Sequence, residues 1–408
     1  MRFCFYSDYK DLIGGYTTLL LALIKELYRQ KQEVVLINFK QGLIADLLKK
    51  ENVSIEIIDL ENIKWNKIHE KIFPTDILII TKFAEPFKYL LKIDPRVVYF
   101  DINDFICQIS DYKYGIRFPS LGKRLVKQLL KKKSLFFMDD TGIFNLRHYF
   151  AMEVDEPIFL PIPVEVPKEN YYLKRDRKQG PALRLTYIGR SVDWKMMPLK
   201  KILEDCAAVS VSKKINMSIV VDSTTEFKKY INTNDFIDAG NFAIDVTENI
   251  MPSAISDFLL QNSDLHFAMG TAALDAAKLG VPTVLVDYSV KKFPADYCYK
   301  WLYETTGYSL GKNLDKLSVS NSLSMKKILT MLSDDREKVS DISKRSFNYV
   351  VNNHSVDKIV SNLVVICRQA DFRLSNARYL IPYYYKAHHI IKSTVEFLSI
   401  KKSRSGMQ

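Results

Sequence analysis

Two cations, Arg190 and Lys195, stand five residues apart in the segment GRSVDWK, residues 189–195, directly after an apolar run. An arginine offers a planar fork of donors and a lysine a compact charge, so together they can hold a diphosphate. In open parallel sheets, ligands bind at the loops that follow the strands. The spacing therefore predicts a diphosphate-binding pair. Two ordinary surface cations are the alternative, because lysine and arginine are mostly exposed.

A second candidate anion site lies where the apolar run Asp264–Met269 gives way to a helical pattern that opens with Gly270 and Thr271. The first amides of a helix lack internal partners, and together with the helix dipole they favour an anion such as a nucleotide phosphate. Asp275, one turn further on, is predicted to accept hydrogen bonds from ribose hydroxyls. Compensation of the helix dipole is the alternative role for Asp275.

A glycine pair, Gly14 and Gly15, follows the first apolar run and opens a helical pattern. Glycines at such a position leave backbone amides accessible to an anion or a sugar. The segment is not GxGxxG, which disfavours a nicotinamide cofactor. A simple tight turn is the alternative.

Acidic residues follow the apolar run Arg96–Phe100, and Asp101 and Asp104 are our candidates for a general base that takes a proton from an acceptor hydroxyl. Asn103 and Asp111 lie in the same region. A helix cap followed by a solvated acid is the alternative, since aspartate is favoured at caps.

Metal and disulfide chemistry find little support. The six histidines form no HxxxH or HExxH pattern, and the five cysteines are scattered without a CxxC pair. We expect no metal, no prosthetic group and no disulfide framework, in a reducing cytoplasm. His266 lies within an apolar run and is expected to be a core histidine.

These candidate residues need a scaffold, and apolar runs alternate with helical patterns through most of the chain. Continuous apolar strands of this kind are typical of parallel sheets covered on both faces. We therefore predict an α/β fold with two tandem, Rossmann-like, doubly wound parallel-sheet domains facing a cleft. The predicted strands are Arg2–Tyr6, Glu33–Asn38, Thr75–Thr81, Arg96–Phe100, Ser134–Met138, Leu183–Ile188, Met217–Val221, Asp264–Met269 and Thr283–Asp287.

A chain of 408 residues exceeds what one core normally supports. Four prolines between Pro157 and Pro167, followed by a charged stretch, indicate a boundary. We predict an N-terminal acceptor-binding domain over residues 1–167, a linker over 168–180 and a donor domain over 181–375. Residues 376–408 are predicted to form a C-terminal helix and basic tail that packs back on the N-terminal domain.

The net charge of +12 indicates an anionic partner. The segment GKRLVKQLLKKK, residues 122–133, carries six basic residues and no acid, and its leucines and valine recur at helical spacing. This pattern predicts an amphipathic helix whose Lys123, Arg124, Lys127 and Lys131 contact an anionic inner-membrane surface or the acceptor. A solvated face over a core-facing stripe is the alternative. The absence of a long apolar run and of a signal pattern predicts a cytoplasmic protein, peripheral to the membrane at most.

The chain resembles the GT-B glycosyltransferases over nearly its whole length and most clearly over residues 183–290, and it is most similar to family four, also known as glycosyl transferases group 1. The family's GR…K segment resembles Gly189-Arg190…Lys195, its glycine-rich loop resembles Gly14-Gly15, and its EA…G.P segment resembles Asp275-Ala276…Gly280-Val281-Pro282. The resemblance implies paired Rossmann-like domains, a nucleoside diphosphate sugar as donor, and a glycan or lipid-linked acceptor for surface polysaccharide, such as capsule, O-antigen or lipopolysaccharide.

The chain departs from that family at Phe267, where a second glutamate is usual, eight residues before Asp275. The GTAALDAA segment is also similar to helix starts in GT-B epimerases that act on UDP-linked N-acetyl sugars. A sugar-nucleotide epimerase or hydrolase is therefore the alternative enzyme. A nucleic-acid-binding protein or a non-catalytic scaffold is a further alternative, although no helix-turn-helix, RRM or zinc-finger signature is present.

Overall fold

The protein is described by a computed structural model that covers residues 1–11, 14–84, 86–102, 119–167, 182–210, 214–236, 241–291, 293–316 and 321–378. The chain divides into two compact units. The first unit combines Met1–Pro161 with Ile359–Gln408, and the second is Ile162–Lys358. The chain thus returns to the first unit within the helix Val356–Gln369, ahead of the boundary predicted at residue 375.

The first unit is built on a parallel sheet of seven strands, whose apolar runs are buried from both sides. Every strand pair in it is parallel, as expected for continuous Val-, Ile- and Phe-rich runs. The spatial order is β3-β2-β1-β4-β5-β6-β7, with β1 Arg2–Tyr6, β2 Glu33–Asn38, β3 Glu56–Asp59, β4 Ile77–Ile80, β5 Arg96–Asp101, β6 Leu135–Phe137 and β7 Ile158–Phe159.

Helices connect these strands, and each buries one apolar side against the sheet. The longest begins at Gly15, the second residue of the glycine pair, and buries five leucine and isoleucine side chains. In the described part of this unit the helices are α1 Gly15–Arg29, α2 Leu43–Lys50, α3 Phe87–Leu90, α4 Pro119–Lys131 and α5 Asp140–Phe150, with 3-10 turns at Trp65–Glu70 and Leu374–Ala377.

The returning C-terminal segment completes the core of the first unit. The backbone amide of Val97 donates to the carbonyl of Phe372 at 2.7 Å, and the amide of Phe372 donates to the Ser134 hydroxyl at 3.1 Å. Phe372 and Leu374 are fully buried in the same apolar cluster as β1, β4 and β5. An ion pair of 3.2 Å between Lys132 and Asp371 adds to this attachment.

The second unit repeats the design with a six-stranded sheet, in which only the last strand is antiparallel among the pairs described. The spatial order is β10-β9-β8-β11-β12-β13, with β8 Leu183–Ile188, β9 Ile215–Val221, β10 Phe242–Glu248, β11 Leu265–Ala268, β12 Thr283–Leu285 and β13 Lys300–Trp301. Strands β8 and β11 are neighbours, with Thr186 opposite His266 and Tyr187 opposite Phe267.

Two apolar clusters cover opposite faces of this second sheet, because successive side chains of a strand alternate. Phe267 and Met269 belong to one cluster, which also takes in the helix that follows β8. Ala268 belongs to the other, with the helix that follows β11. The described helices are α6 Asp193–Ser210, α7 Thr224–Tyr230, α8 Ile255–Asn262, α9 Thr271–Ala277, α10 Met325–Asp334, α11 Arg336–Asn353 and α12 Val356–Gln369, with 3-10 turns at Thr233–Asp235, Pro252–Ala254 and Leu302–Glu304.

Candidate functional site

The loop after β8 carries Arg190 between the end of the strand and the start of α6. Gly189 makes this turn possible, since a Cβ there would lie 2.7 Å from the Tyr187 ring. The amide of Ser191 donates to the Asp222 carboxylate at 2.6 Å, and the Ser191 hydroxyl donates to the Ser223 carbonyl at 2.7 Å. The loop is therefore fixed to the loop that follows β9.

Arg190 and Lys195 are brought together at this edge. Arg190 is exposed and Lys195 is half-buried in the first turn of α6. The pKa of the Lys195 ammonium is lowered to about 8, mainly by burial and secondly by the positive charge of Arg190. The negative charge of Asp222 acts in the opposite direction. Within the described residues, neither cation forms an ion pair with a carboxylate. Two like charges in a partly desolvated position are stabilised by an anion between them.

Gly270 and Thr271 lie at the same sheet edge, because β11 is hydrogen-bonded to β8. Gly270 has φ of 65° and ψ of −145°, and its amide donates to the Leu310 carbonyl at 2.7 Å. Apart from Gly270 itself and its chain neighbours, no heavy atom lies within 4 Å of the position where a Cβ on Gly270 would stand. Open space therefore adjoins the first residues of α9, next to the loop that carries the two cations. Phosphate binding by Gly270 and Thr271 stays a prediction.

Asp275 lies on α9, half-buried, and its carboxylate forms an ion pair of 2.7 Å with Lys278 one turn later. A ribose contact would have to compete with Lys278 or share the carboxylate with it. The predicted ribose role of Asp275 stays a prediction.

Phe267 and His266 are both fully buried in β11. Phe267 packs edge-to-face against Tyr299 with ring centroids 5.8 Å apart. His266 Nδ1 is 2.8 Å from the Thr186 hydroxyl, and burial lowers the pKa of His266 to about 3. His266 is thus held neutral inside the sheet.

The glycine pair lies at the start of α1 in the first unit. Gly15 is the first residue of that helix, and the amide of Thr18 donates to the carbonyl of Gly14 at 3.2 Å. A Cβ on either glycine would meet nothing within 4 Å, so the loop borders open space. Ligand binding by Gly14 and Gly15 stays a prediction.

Asp101 is the last residue of β5 and is only 4% exposed. A Cβ added to Gly142 would lie 2.8 Å from Asp101 Oδ2, so the carboxylate is packed against the start of α5. Asp104, with Asn103 and Asp111, lies outside the described residues. The roles of Asp101 and Asp104 as the general base stay predictions.

The basic segment forms the helix α4, Pro119–Lys131, and its apolar stripe is buried in the core of the first unit. The opposite face carries Lys123, Arg124, Lys127 and Lys131, and among the described residues none of these four cations is ion-paired. Ser120 and Gln128 lie on the same face of α4 as these cations. The core-facing stripe is therefore confirmed, and an anionic contact on the other face stays a prediction.

Sequence reasoning missed Trp194 and Tyr288, which lie half-buried with ring centroids 5.3 Å apart. The Lys195 ammonium lies 5.2 Å from the centroid of the Trp194 ring. Trp194 and Lys195 are consecutive residues, so the sequence could have indicated the contact between the ammonium and the indole ring. Nothing in the sequence indicated the partner from the loop after β12.

Two features are absent from the described residues. No group of three or more His, Cys, Asp or Glu side chains is placed to hold a metal ion there. No helix in the same part of the chain combines the length and apolar character needed to cross a membrane.

No protein-family model and no curated protein matches this sequence. Solved structures do match. HepE from Anabaena, solved with UDP and glucose, shares 12% identity over 90% of this chain and 98% of its own, with a TM-score of 0.52. A glycosyltransferase from Rickettsia africae shares 12% identity over 90% and 98%, with a TM-score of 0.56. An alpha-glucosyltransferase solved with UDP-glucose and DNA shares 12% identity over 90% and 99%, with a TM-score of 0.50.

These likenesses extend over both units, each of which is a parallel-sheet α/β structure. The chain has the GT-B fold. The predicted α/β class and the tandem Rossmann-like sheets are therefore confirmed. In this GT-B chain, Arg190, Lys195, Gly270 and Thr271 all belong to the second unit and lie at the carboxyl ends of adjacent strands, which is where open parallel sheets bind their ligands.

Proposed function

We propose that this protein is a glycosyltransferase that moves a sugar from a nucleoside diphosphate sugar to a growing surface polysaccharide or lipid-linked glycan. The Arg190–Lys195 pair carries the proposal. Arg190 lies in the loop after β8 and Lys195 in the first turn of the helix that follows, and the charge of Arg190 contributes to the lowered pKa of Lys195. HepE and the alpha-glucosyltransferase, which share the fold, were solved with UDP or UDP-glucose. A diphosphate supplies the negative charge that such a pair of cations requires.

In this proposal the bond between the sugar and the diphosphate oxygen breaks, and a bond from the acceptor oxygen to the sugar forms. Negative charge develops on the departing nucleoside diphosphate. The Arg190 fork takes two phosphate oxygens and Lys195 adds a point charge, so both stabilise the leaving group most when its charge is greatest. Thr271 adds its backbone amide at the start of α9, whereas the Gly270 amide is donated to the Leu310 carbonyl and Gly270 contributes the open space beside it.

The acceptor side of the proposal rests on the first unit. Asp101 and Asp104 are the candidates for the base that removes the proton of the acceptor hydroxyl, if the configuration is inverted. The cationic face of α4 would hold the enzyme against the anionic inner leaflet where a lipid-linked acceptor lies.

Phe267 favours a second candidate, a sugar-nucleotide epimerase or hydrolase on the same fold. The side chain is apolar and fully buried where the resembled transferases carry a glutamate. Incubating the donor without any acceptor separates the two functions. An isomerised or hydrolysed sugar at enzymatic rates supports the second candidate, and a stable donor that reacts only with acceptor supports transfer.

Nucleotide binding by variants tests the site. A thermal-shift screen with UDP, GDP, ADP and CMP and their sugars first identifies the nucleotide, since a ligand raises apparent stability by mass action. We expect Arg190→Ala and Lys195→Ala each to weaken binding of that nucleotide about 10- to 100-fold, the range for a charged hydrogen bond. Lys200→Ala is the matched control, because Lys200 is an exposed lysine on the same helix. Unchanged affinity in Arg190→Ala would contradict the site.

A further inference from the structure

Trp194 and Tyr288 form an aromatic surface directly beside the proposed diphosphate site. The two rings meet edge-to-face at 5.3 Å, and both side chains are half-buried. Lys195, the next residue after Trp194, places its ammonium 5.2 Å from the Trp194 ring centroid. A positive charge and an apolar surface are therefore adjacent in one unit of the protein, as a ligand with an anionic part and a ring part requires.

A single loop links this aromatic pair to the Gly270 side of the edge. The amide of Tyr288 donates to the Lys312 carbonyl at 2.9 Å, and the Leu310 carbonyl accepts from Gly270. Gly311, between them, has φ of 120°, and a Cβ there would lie 2.8 Å from the Val286 carbonyl oxygen. The loop is thus pressed onto the ends of β11 and β12, and its Leu310 carbonyl is bonded to Gly270.

Tyr288 is held in place by a buried carboxylate. Asp287 accepts from the Lys312 amide at 2.8 Å, the Asn321 side chain at 2.9 Å and the Tyr297 hydroxyl at 3.1 Å. Because these bonds tie the end of β12 to two other segments, the residue that follows is presented from a fixed backbone.

The aromatic pair and the helix α9 lie on opposite faces of the sheet, so the two ends of a ligand bound at this edge would meet different groups. Trp194 and Tyr288 pack against the cluster that contains Phe267 and Met269. The helix α9, which carries Asp275, packs against the opposite cluster. A diphosphate between Arg190 and Gly270 therefore has Asp275 on one side and the aromatic pair on the other.

We propose that Trp194 and Tyr288 bind the sugar ring of the nucleotide sugar. This inference rests on the proposed function and deepens it by naming the surface that the transferred sugar contacts. The nucleoside extends toward α9 and the sugar toward the aromatic pair. Aromatic faces suit the C–H faces of a hexose, and the Lys195 charge reaches the phosphate to which that ring is attached.

The test compares a nucleotide with its own sugar conjugate. Calorimetric titration of UDP and UDP-glucose, GDP and GDP-mannose, and ADP and ADP-glucose is run on the whole chain and on Trp194→Leu and Tyr288→Leu. We expect each variant to bind the matching nucleotide sugar about three- to tenfold more weakly, as expected for the loss of an aromatic contact. The affinity for the free nucleoside diphosphate should change less than about twofold, because that part of the ligand keeps its contacts.

Trp65→Leu is the matched control, because Trp65 is also half-buried and stacks on a tyrosine, Tyr89, in the first unit. Trp194→Phe, which keeps a ring, should restore most of the lost affinity and shows that the site still folds. Equal losses for diphosphate and nucleotide sugar, or no loss for either, would overturn the inference and leave the proposed function standing. If no nucleoside diphosphate binds the wild-type chain, both are overturned.

Discussion

Lys195 lies beside Arg190 at the start of α6, and burial together with the Arg190 charge lowers the pKa of the Lys195 ammonium to about 8. In the unliganded protein, the charge of each side chain raises the free energy of keeping the other one charged. A bound diphosphate reverses this, since its negative charge favours the protonated lysine. Ligand affinity and the protonation of Lys195 are therefore linked.

The first prediction is a fall in affinity for the nucleotide sugar between pH 7 and pH 9. The free protein loses the Lys195 proton as the pH rises through about 8, so binding above that pH requires proton uptake. We expect about a tenfold loss if only the charged lysine binds the diphosphate. Titration calorimetry in buffers of different ionisation enthalpy measures both quantities. Lys195→Arg keeps its charge over this range and should give a flat profile, whereas a flat wild-type profile would contradict the linkage.

The second prediction concerns Gly311, where φ is 120° and a side chain would press on the Val286 carbonyl at 2.8 Å. Strain and overlap add, so Gly311→Ala should lower the free energy of unfolding by about 2–3 kcal/mol. Gly15→Ala is the control, since that glycine starts α1 and faces open space. Denaturant unfolding monitored by circular dichroism measures both variants. Equal stability of the Gly311 variant and the wild type would show that the loop can move away.

The third prediction is acid sensitivity caused by His266, whose pKa burial lowers to about 3. As the pH falls below about 6.5 the unfolded chain binds a proton that the folded chain refuses, so stability is full above that pH and declines below it. His266 should contribute a loss of about 2 kcal/mol between pH 6.5 and 5. His266→Gln should make the free energy of unfolding less dependent on pH, with part of the remaining dependence coming from His354, whose pKa burial lowers to about 4. The exposed His69→Gln should leave the dependence unchanged.

The fourth prediction concerns the cationic face of α4. Reversing two charges, as in Lys123→Glu with Lys127→Glu, should reduce binding to vesicles of mixed anionic and zwitterionic lipid more than tenfold, because each basic residue contributes about 1 kcal/mol. Lys49→Glu with Lys50→Glu on α2 is the matched control, since both lysines are exposed in the same unit. Sedimentation with the vesicles reports the bound fraction. Equal losses in the two double variants would point to net charge rather than to this face.

Strands were predictable wherever an apolar run is buried on both faces. The predicted ends are correct for three strands, Arg2–Tyr6, Glu33–Asn38 and Leu183–Ile188. Every residue in such a run favours a buried strand, so its ends are well marked. The strand Phe242–Glu248 was not predicted. It lies at the edge of its sheet and alternates Phe242, Ile244 and Val246 with the exposed Ala243 and Asp245. That period of two is typical of a half-buried strand, but the predicted strands were recognised only as continuous apolar runs. Ile158–Phe159 is too short to give a pattern.

The candidate site was predictable where its residues are close together in the sequence. Arg190 and Lys195 are five positions apart, so their proximity follows from the start of a helix. The contact of Trp194 with Tyr288 depends on how β8 and β12 are ordered in the sheet, and one sequence does not contain that order. The return of Phe372 to the first unit likewise depends on a long-range contact with Val97.

The interrupted first unit has a consequence for the order in which the protein is assembled on the ribosome. Its sheet is synthesised first, yet Phe372 and Leu374, which belong to its core, emerge after the whole of Ile162–Lys358. The second unit can thus fold while the first still lacks part of its interior, although domains usually fold in the order of synthesis. A nascent chain from whose ribosome residue 358 has just emerged would carry a complete second unit and an unfinished first unit.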